Sequence, residues 1–163
     1  KVMTLLGGGG ASTAILVQAA LDGMKEIRVF NRKSPSFDRL VHIAGQLNER
    51  TNCKVSVLPL EDTETLRSSI AESDILTNGT SLGMAPRTDA CPIPNSSFLR
   101  PDLIVSDVIY NPRQTKLLKM AEETGCPFFN GLYMLLYQGA AAFELWTGQE
   151  MPVERIKEKY FSE

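Results

Sequence analysis

Strand-length apolar runs alternate with helix-period segments from one end of this chain to the other, and few folds accept that order. Val2-Met3-Thr4-Leu5-Leu6 reads as a first strand, and a helix from Gly7 to about Gly23 follows it. Ala11, Ile15 and Ala19, spaced by four, are expected to form that helix's inner face. Residues 26–30 predict a second strand, followed by a helix carrying Phe37, Leu40, Val41, Ala44 and Leu47. Strand three is expected at 54–58, a helix at 62–71, strand four at 74–77 and strand five at 103–106. A helix at 114–123, a short strand at 127–129 and helices at 132–146 and 153–160 complete the series. Such a βαβα succession demands a parallel sheet with helices on both faces. The expected fold is a doubly wound α/β domain over residues 1–163, strand order 3-2-1-4-5-6, with two C-terminal helices. Residues 83–101 hold four of the nine prolines and read as a connector near the ligand edge of the sheet.

The chain is of one-domain size, and 43% hydrophobic against 22% charged residues allows a real core. A formal charge of −2 excludes a strongly basic nucleic-acid binder. No apolar run approaches the roughly 20 residues of a membrane span, and no secretory leader is expected. Cys53, Cys91 and Cys126 make neither a disulfide framework nor a metal-binding pair, which suits a reducing, cytoplasmic setting. Lys1 runs almost at once into a strand with no initiator Met, so a piece of a longer protein is expected, with a processed chain as the other explanation.

Gly7-Gly8-Gly9-Gly10-Ala11-Ser12 lies between the first strand and the first helix, where a dinucleotide-binding loop belongs. Gly7 and Gly9 take the first two positions of GxGxxG and Ser12 the third. A tight turn, a backbone free to approach a pyrophosphate and a helix N-terminus with unpaired N–H groups are the physical content of that motif. A Gly-Lys-Ser/Thr ending is missing, which excludes a P-loop. Where NAD enzymes place an acid on the ribose, this chain reads Asn31-Arg32-Lys33-Ser34. Two cations and a hydroxyl favour a 2′-phosphate, hence NADP, with NAD as the alternative. His42, the lone histidine, reads as a surface residue of the second helix, and Asp107 as an N-cap or loop brace rather than a catalytic acid.

Three further segments, taken with the glycine loop and Asn31–Ser34, resemble the shikimate dehydrogenases and their quinate/shikimate paralogues. They are residues 77–84 (TNGTSLGM), 107–112 (DVIYNP, followed by TKLL at 115–118) and 130–139 (NGLYMLLYQG). The ending Phe143-Glu144-Leu145-Trp146-Thr147-Gly148 is similar as well. The resemblance implies NAD(P)-dependent interconversion of 3-dehydroshikimate and shikimate, or of the quinate pair, with Asn-Gly-Thr and Phe-Asn-Arg-Lys closer to the paralogue. It implies that Gly8, Gly9, Gly10 and Ala11 hold the pyrophosphate and that Asn31, Arg32, Lys33 and Ser34 hold the adenosine ribose. The same resemblance implies that Ser81 passes near the cofactor and that Val108, Ile109, Tyr110, Asn111, the Gly131 backbone and Met134 line the nicotinamide side. It implies that Gln138 reaches the cleft toward a substrate hydroxyl and that Tyr110 lies close to the reacting ring. Bare physics leaves Gln138, Tyr110 and Met134 also readable as helix-face or packing residues.

Ser34 stands where NAD-using members tend to carry Asp, Ser81 where some paralogues carry Lys, and Tyr133 replaces a usual glycine. The family's Lys–Asp pair belongs to an N-terminal substrate domain to which nothing here corresponds, so no catalytic residue is expected in this chain. By itself it is expected to bind cofactor without turning over shikimate. Two other readings stand beside this one. One is the cofactor domain of another two-domain NADP oxidoreductase, such as a glutamyl-tRNA reductase or a methylenetetrahydrofolate dehydrogenase; the other is a non-catalytic nucleotide-binding module. The last two helices are expected to leave Leu135, Leu136, Phe143 or Trp146 partly bare, which implies self-association as a homodimer.

Overall fold

A computed structural model describes residues 1–161. Six strands form one sheet in the order β3-β2-β1-β4-β5-β6. They are β1 (Val2–Leu6), β2 (Glu26–Asn31), β3 (Lys54–Pro59), β4 (Ile75–Asn78), β5 (Ile104–Asp107) and β6 (Phe128–Phe129). Every neighbouring pair is parallel, and Leu5 lies opposite Val29 on one side and Thr77 on the other. The helices are α1 (Gly10–Leu21), α2 (Pro35–Arg50), α3 (Thr63–Ala71), α4 (Lys116–Thr124), α5 (Leu132–Thr147) and α6 (Val153–Tyr160). This is the doubly wound arrangement that the alternation demands. Chain direction reverses its spread between β1 and β4, and the sheet opens a crevice there at its C-terminal edge.

Strand periodicity sorts the core into two layers. Met3 and Leu5 of β1, with Ile27 and Val29 of β2, pack against Leu16, Ala20, Leu40, Ala44 and Leu47 of α1 and α2. Leu6 and Phe30, pointing the other way, join Leu66, Ile70, Leu76, Val105, Leu117 and Leu118 beneath α3 and α4. Thr4 shares that second face, and its Oγ1 sits 2.8 Å from Ser73 Oγ, so the polar atom costs little where it is buried.

The inner stripe of α1 is Ser12, Leu16 and Ala20, one residue along from the expected Ala11, Ile15 and Ala19, which flank it half-buried. The helix is apolar nearly all round, so spacing alone does not choose a face; docking of Ser12 against the sheet does. Val41 of α2 is likewise exposed while Leu40, Ala44 and Leu47 are buried. Residues 83–101 do more than connect. A short 3-10 turn at Ser96–Phe98 brings Ile93, Phe98 and Leu99 into the second core layer.

The last two helices are the least embedded. Only Leu136 of α5 is fully buried, against the expectation that it is partly bare; Leu135 is half-buried. Phe143, Leu145 and Trp146 are exposed, the last at 84%. No helix among the described residues is long and apolar enough to cross a membrane.

Candidate cofactor site

Gly7 turns the chain out of β1 with φ +104°, a backbone conformation that side chains resist, and its N–H donates to Phe30 O at 2.8 Å. Gly9 caps α1 without any side-chain acceptor, so the first-turn N–H groups point outward with the positive end of the helix dipole. A Cβ on Gly9 or Gly10 would meet nothing within 4 Å, so both present bare backbone to open space. Ser12, at the motif's third position, serves close packing of helix on strand and does not line the cleft. It is fully buried, and its hydroxyl donates to Gly79 O at 2.9 Å, tying α1 to the end of β4 instead of reaching a ligand.

The glycine loop forms the floor of a cleft of about 1030 Å³ along the C-terminal edge of the sheet. Gly7 to Ala11 line its base, Asn31 and Arg32 one end, Ser81 and its neighbours the far wall, and Val108 to Asn111 the other end. Residues from the ends of β1, β2, β4 and β5 thus converge, joined by Leu60 just past β3, as ligand crevices at a switch point require.

At the β2 end Asn31 is nearly buried, its Nδ2 donating to Ser36 Oγ at 2.8 Å. Arg32 lines the cleft, whereas Lys33 and Ser34 are exposed outside it, and the Ser34 hydroxyl turns back to Arg32 O at 3.1 Å. Two residues that the sequence reading missed take their place. Ser36 and Arg39, on the first turns of α2, line the cleft, and Arg39 Nη2 donates to Gly8 O at 2.6 Å. Helical spacing held the signal: residues three apart share a face, so Ser36 and Arg39 look the same way. Two guanidinium groups therefore flank this end, with no carboxylate among the cleft residues.

At the other end Asp107 closes β5, only 2% exposed. Burial pushes its carboxyl above the ordinary range, opposed by hydrogen bonds from Ile109 N–H, Thr115 and Asn78. It braces loops, as expected, but the N-cap of α4 is Thr115, whose hydroxyl donates to Asp107 Oδ2 at 2.8 Å. Tyr110 is exposed at the cleft margin. Gly131 is buried, donates its N–H to Ile109 O at 3.0 Å and packs directly on the Val108 carbonyl. It starts α5 against the cleft wall without lining the cleft. Met134 and Gln138, farther along α5, are exposed and also lie outside the lining. His42 is exposed on α2, well away from these groups in the chain. No group of three or more His, Cys, Asp or Glu among the described residues is placed to hold a metal ion.

The family model described as the shikimate 5′-dehydrogenase C-terminal domain matches residues 131–159. The shikimate dehydrogenase (NADP(+)) of Listeria innocua is 53% identical over 161 residues, 99% of this chain and 55% of that protein. Shikimate 5-dehydrogenase from Listeria monocytogenes, solved in complex with shikimate and NAD, superposes with a TM-score of 0.91 at 52% identity, covering 98% of this chain and 55% of that one. The chain belongs to the shikimate dehydrogenase family. The quinate dehydrogenase of Corynebacterium glutamicum, in complex with NAD, matches at TM-score 0.84 and 27% identity over 100% of this chain and 55% of that one. This family membership replaces the reading as the cofactor domain of another two-domain NADP oxidoreductase. The chain spans about half the length of the curated relatives it matches. Within the shikimate dehydrogenase family, the stretch matched by the domain model is α5, α6 and their junction, whereas the cleft is built almost wholly from residues 7–111. The two observations are independent, one resting on sequence at the C-terminus and the other on geometry at the sheet edge.

Proposed function

We propose that this chain is the cofactor-binding part of an NADP-preferring dehydrogenase acting on shikimate, or on quinate. The observation that carries the reading is one cleft in which bare Gly9–Gly10 backbone at an uncapped helix start meets Arg32 and Arg39. The residues fit a dinucleotide: space where a Cβ would intrude, N–H groups for a pyrophosphate, and cations where an NAD site would place an acid. Gly8 to Ala11 hold the pyrophosphate, and Asn31, Arg32, Ser36 and Arg39 the adenosine end. Ser81 and Val108 to Asn111 hold the nicotinamide end, with Gly131 supporting them from behind. Met134, Gln138 and Tyr110 face the substrate side in this reading. Bound there, the nicotinamide ring supplies the hydride acceptor. The part of this chain is to bind, orient and exclude water, and the Lys–Asp pair that handles the hydroxyl proton lies elsewhere in the whole enzyme.

The relatives support both cofactors: the Listeria innocua protein is named for NADP(+), and the Listeria monocytogenes structure holds NAD. NAD is therefore the second reading. Parallel calorimetric titrations with NADP and NAD decide between them. Tighter NADP binding, weakened about tenfold or more in Arg32→Ala and in Arg39→Ala, is the expected result. Equal or tighter NAD binding keeps the site and overturns the cofactor preference. Binding of neither rejects the reading for this chain. The exposed end of α5 supports self-association of this chain, and the enzyme is proposed to work in the cytoplasm.

A further inference from the structure

We propose that Asp107 is the positioning residue for the nicotinamide half of the cleft, holding both of its walls through hydrogen bonds rather than through its charge. The proposal rests on the cofactor reading above. Oδ1 of Asp107 accepts from Asn78 Nδ2 at 3.1 Å and from Ile109 N–H at 3.0 Å, and Oδ2 accepts from Thr115 Oγ1 at 2.8 Å. These donors belong to three segments: the end of β4, the loop after β5, and the cap of α4.

Asn78 carries the brace one step further. Its Oδ1 accepts from Thr80 N–H at 3.0 Å and from Thr80 Oγ1 at 2.7 Å, while its Nδ2 also reaches Leu82 O at 3.3 Å. Thr80 Oγ1 in turn accepts from Leu82 N–H at 3.1 Å. The chain from Asp107 through Asn78 therefore dictates where Ser81 stands, and the bond to Ile109 dictates where Val108 and Tyr110 stand. Both walls belong to the β4–β5 side of the switch point, opposite Arg32 and Arg39 on the β2 side. In a doubly wound site the two halves of a dinucleotide lie on those two sides. One buried carboxylate thus governs one half of the site and touches none of the other.

A test follows from comparing two ligands, NADP and its adenosine half (adenosine 2′,5′-bisphosphate), by calorimetry on this chain. In Asp107→Ala, NADP affinity is expected to fall by about tenfold or more while the adenosine half binds within about twofold of the wild type. Asp107→Asn keeps an acceptor for Asn78 and Ile109 and can donate to Thr115 Oγ1, so it is expected to restore NADP affinity to within about threefold. Equal losses for the two ligands in Asp107→Ala would mean a general structural role and overturn the proposal. Asp107→Asn as weak as Asp107→Ala would assign the effect to charge and overturn it equally. If Asp107→Ala does not fold, Thr115→Val removes one of the three donors. It is expected to weaken NADP alone, by about threefold, and no change would count against the brace. A wild-type chain that binds neither ligand rejects the cofactor reading itself, whereas one that binds both and shows no selective loss rejects only the role of Asp107.

Discussion

Four consecutive glycines look interchangeable in a sequence, yet each residue of the loop answers to different surroundings. Gly9 faces open space, so Gly9→Ala should leave the folded state nearly untouched while its methyl occupies the path of a pyrophosphate. The expected outcome is an unchanged unfolding midpoint with dinucleotide affinity reduced by about tenfold or more, read by urea unfolding and calorimetry. Gly79, at the far side of the same floor, is the reverse case. A Cβ there would overlap Ser12 Oγ and crowd Leu6 O, so Gly79→Ala should cost about 1–3 kcal/mol of stability. Because the nearest obstacle is a single oxygen, Ser12→Ala should recover part of that loss in the double variant, and a double-mutant cycle of unfolding free energies measures it. The motif's spacing was legible without a structure. The role of Ser12 was not, because its hydrogen-bond partner Gly79 lies 67 residues away.

At the scale of elements, most strands and helices were readable because their periods differ. The misreadings fall where periodicity loses contrast. On α1, apolar on most sides, the buried stripe was off by one residue; on the strongly amphipathic α2, the core positions Leu40, Ala44 and Leu47 were read correctly. A linear motif reading stops at Ser34, whereas the helix carries Ser36 and Arg39 back toward the glycine loop.

Strand β2 supplies a pH-dependent element. Glu26 accepts from Arg28 Nε at 2.8 Å, and Lys54 lies 3.7 Å away. Arg28 also reaches Glu72 at 2.7 Å. The hydrogen bond and charge of Arg28 hold the Glu26 carboxyl below its ordinary value of 4.5, against a smaller opposing effect of burial. A depressed carboxylate contributes stability above its unfolded pKa and loses it as pH falls through the folded pKa. Glu26→Gln should therefore be less stable than the wild type by about 0.5–1 kcal/mol near pH 7. The two unfolding curves should converge as the pH falls through the lowered folded-state value of that carboxyl. Curves that stay parallel down to acid pH would place the effect in packing instead.

For the whole molecule, the sheet is sealed on both faces around β1 and β2 but thins toward β6, which has two residues, both exposed. There α5 and α6 pack mainly on each other, with Tyr133, Tyr137 and Phe161 in ring contact and Lys157 lying over both tyrosines. Leu145 and Trp146, about five-sixths exposed, place two consecutive large apolar side chains at the end of α5 in solvent. This chain is expected to self-associate as its concentration rises, and replacing both residues by serine should restore a monomer. Light scattering across a concentration series checks both statements, and a clean monomer for the unaltered chain at high concentration overturns the first.

Local chemistry, read from the sequence alone, determined the alternation of strands and helices, the glycine turn at Gly7 and the missing acid after β2. Each follows from neighbours a few residues apart, through side-chain period, backbone freedom or charge. Only the tertiary structure decided which side of α1 is buried, that Ser12 is a fastener between α1 and β4, that Arg39 rather than Lys33 enters the cleft, and that Asp107 braces three segments. Those outcomes depend on partners up to 67 residues away. Their meeting is set by how two helix layers close on a twisted sheet, which no local spacing encodes.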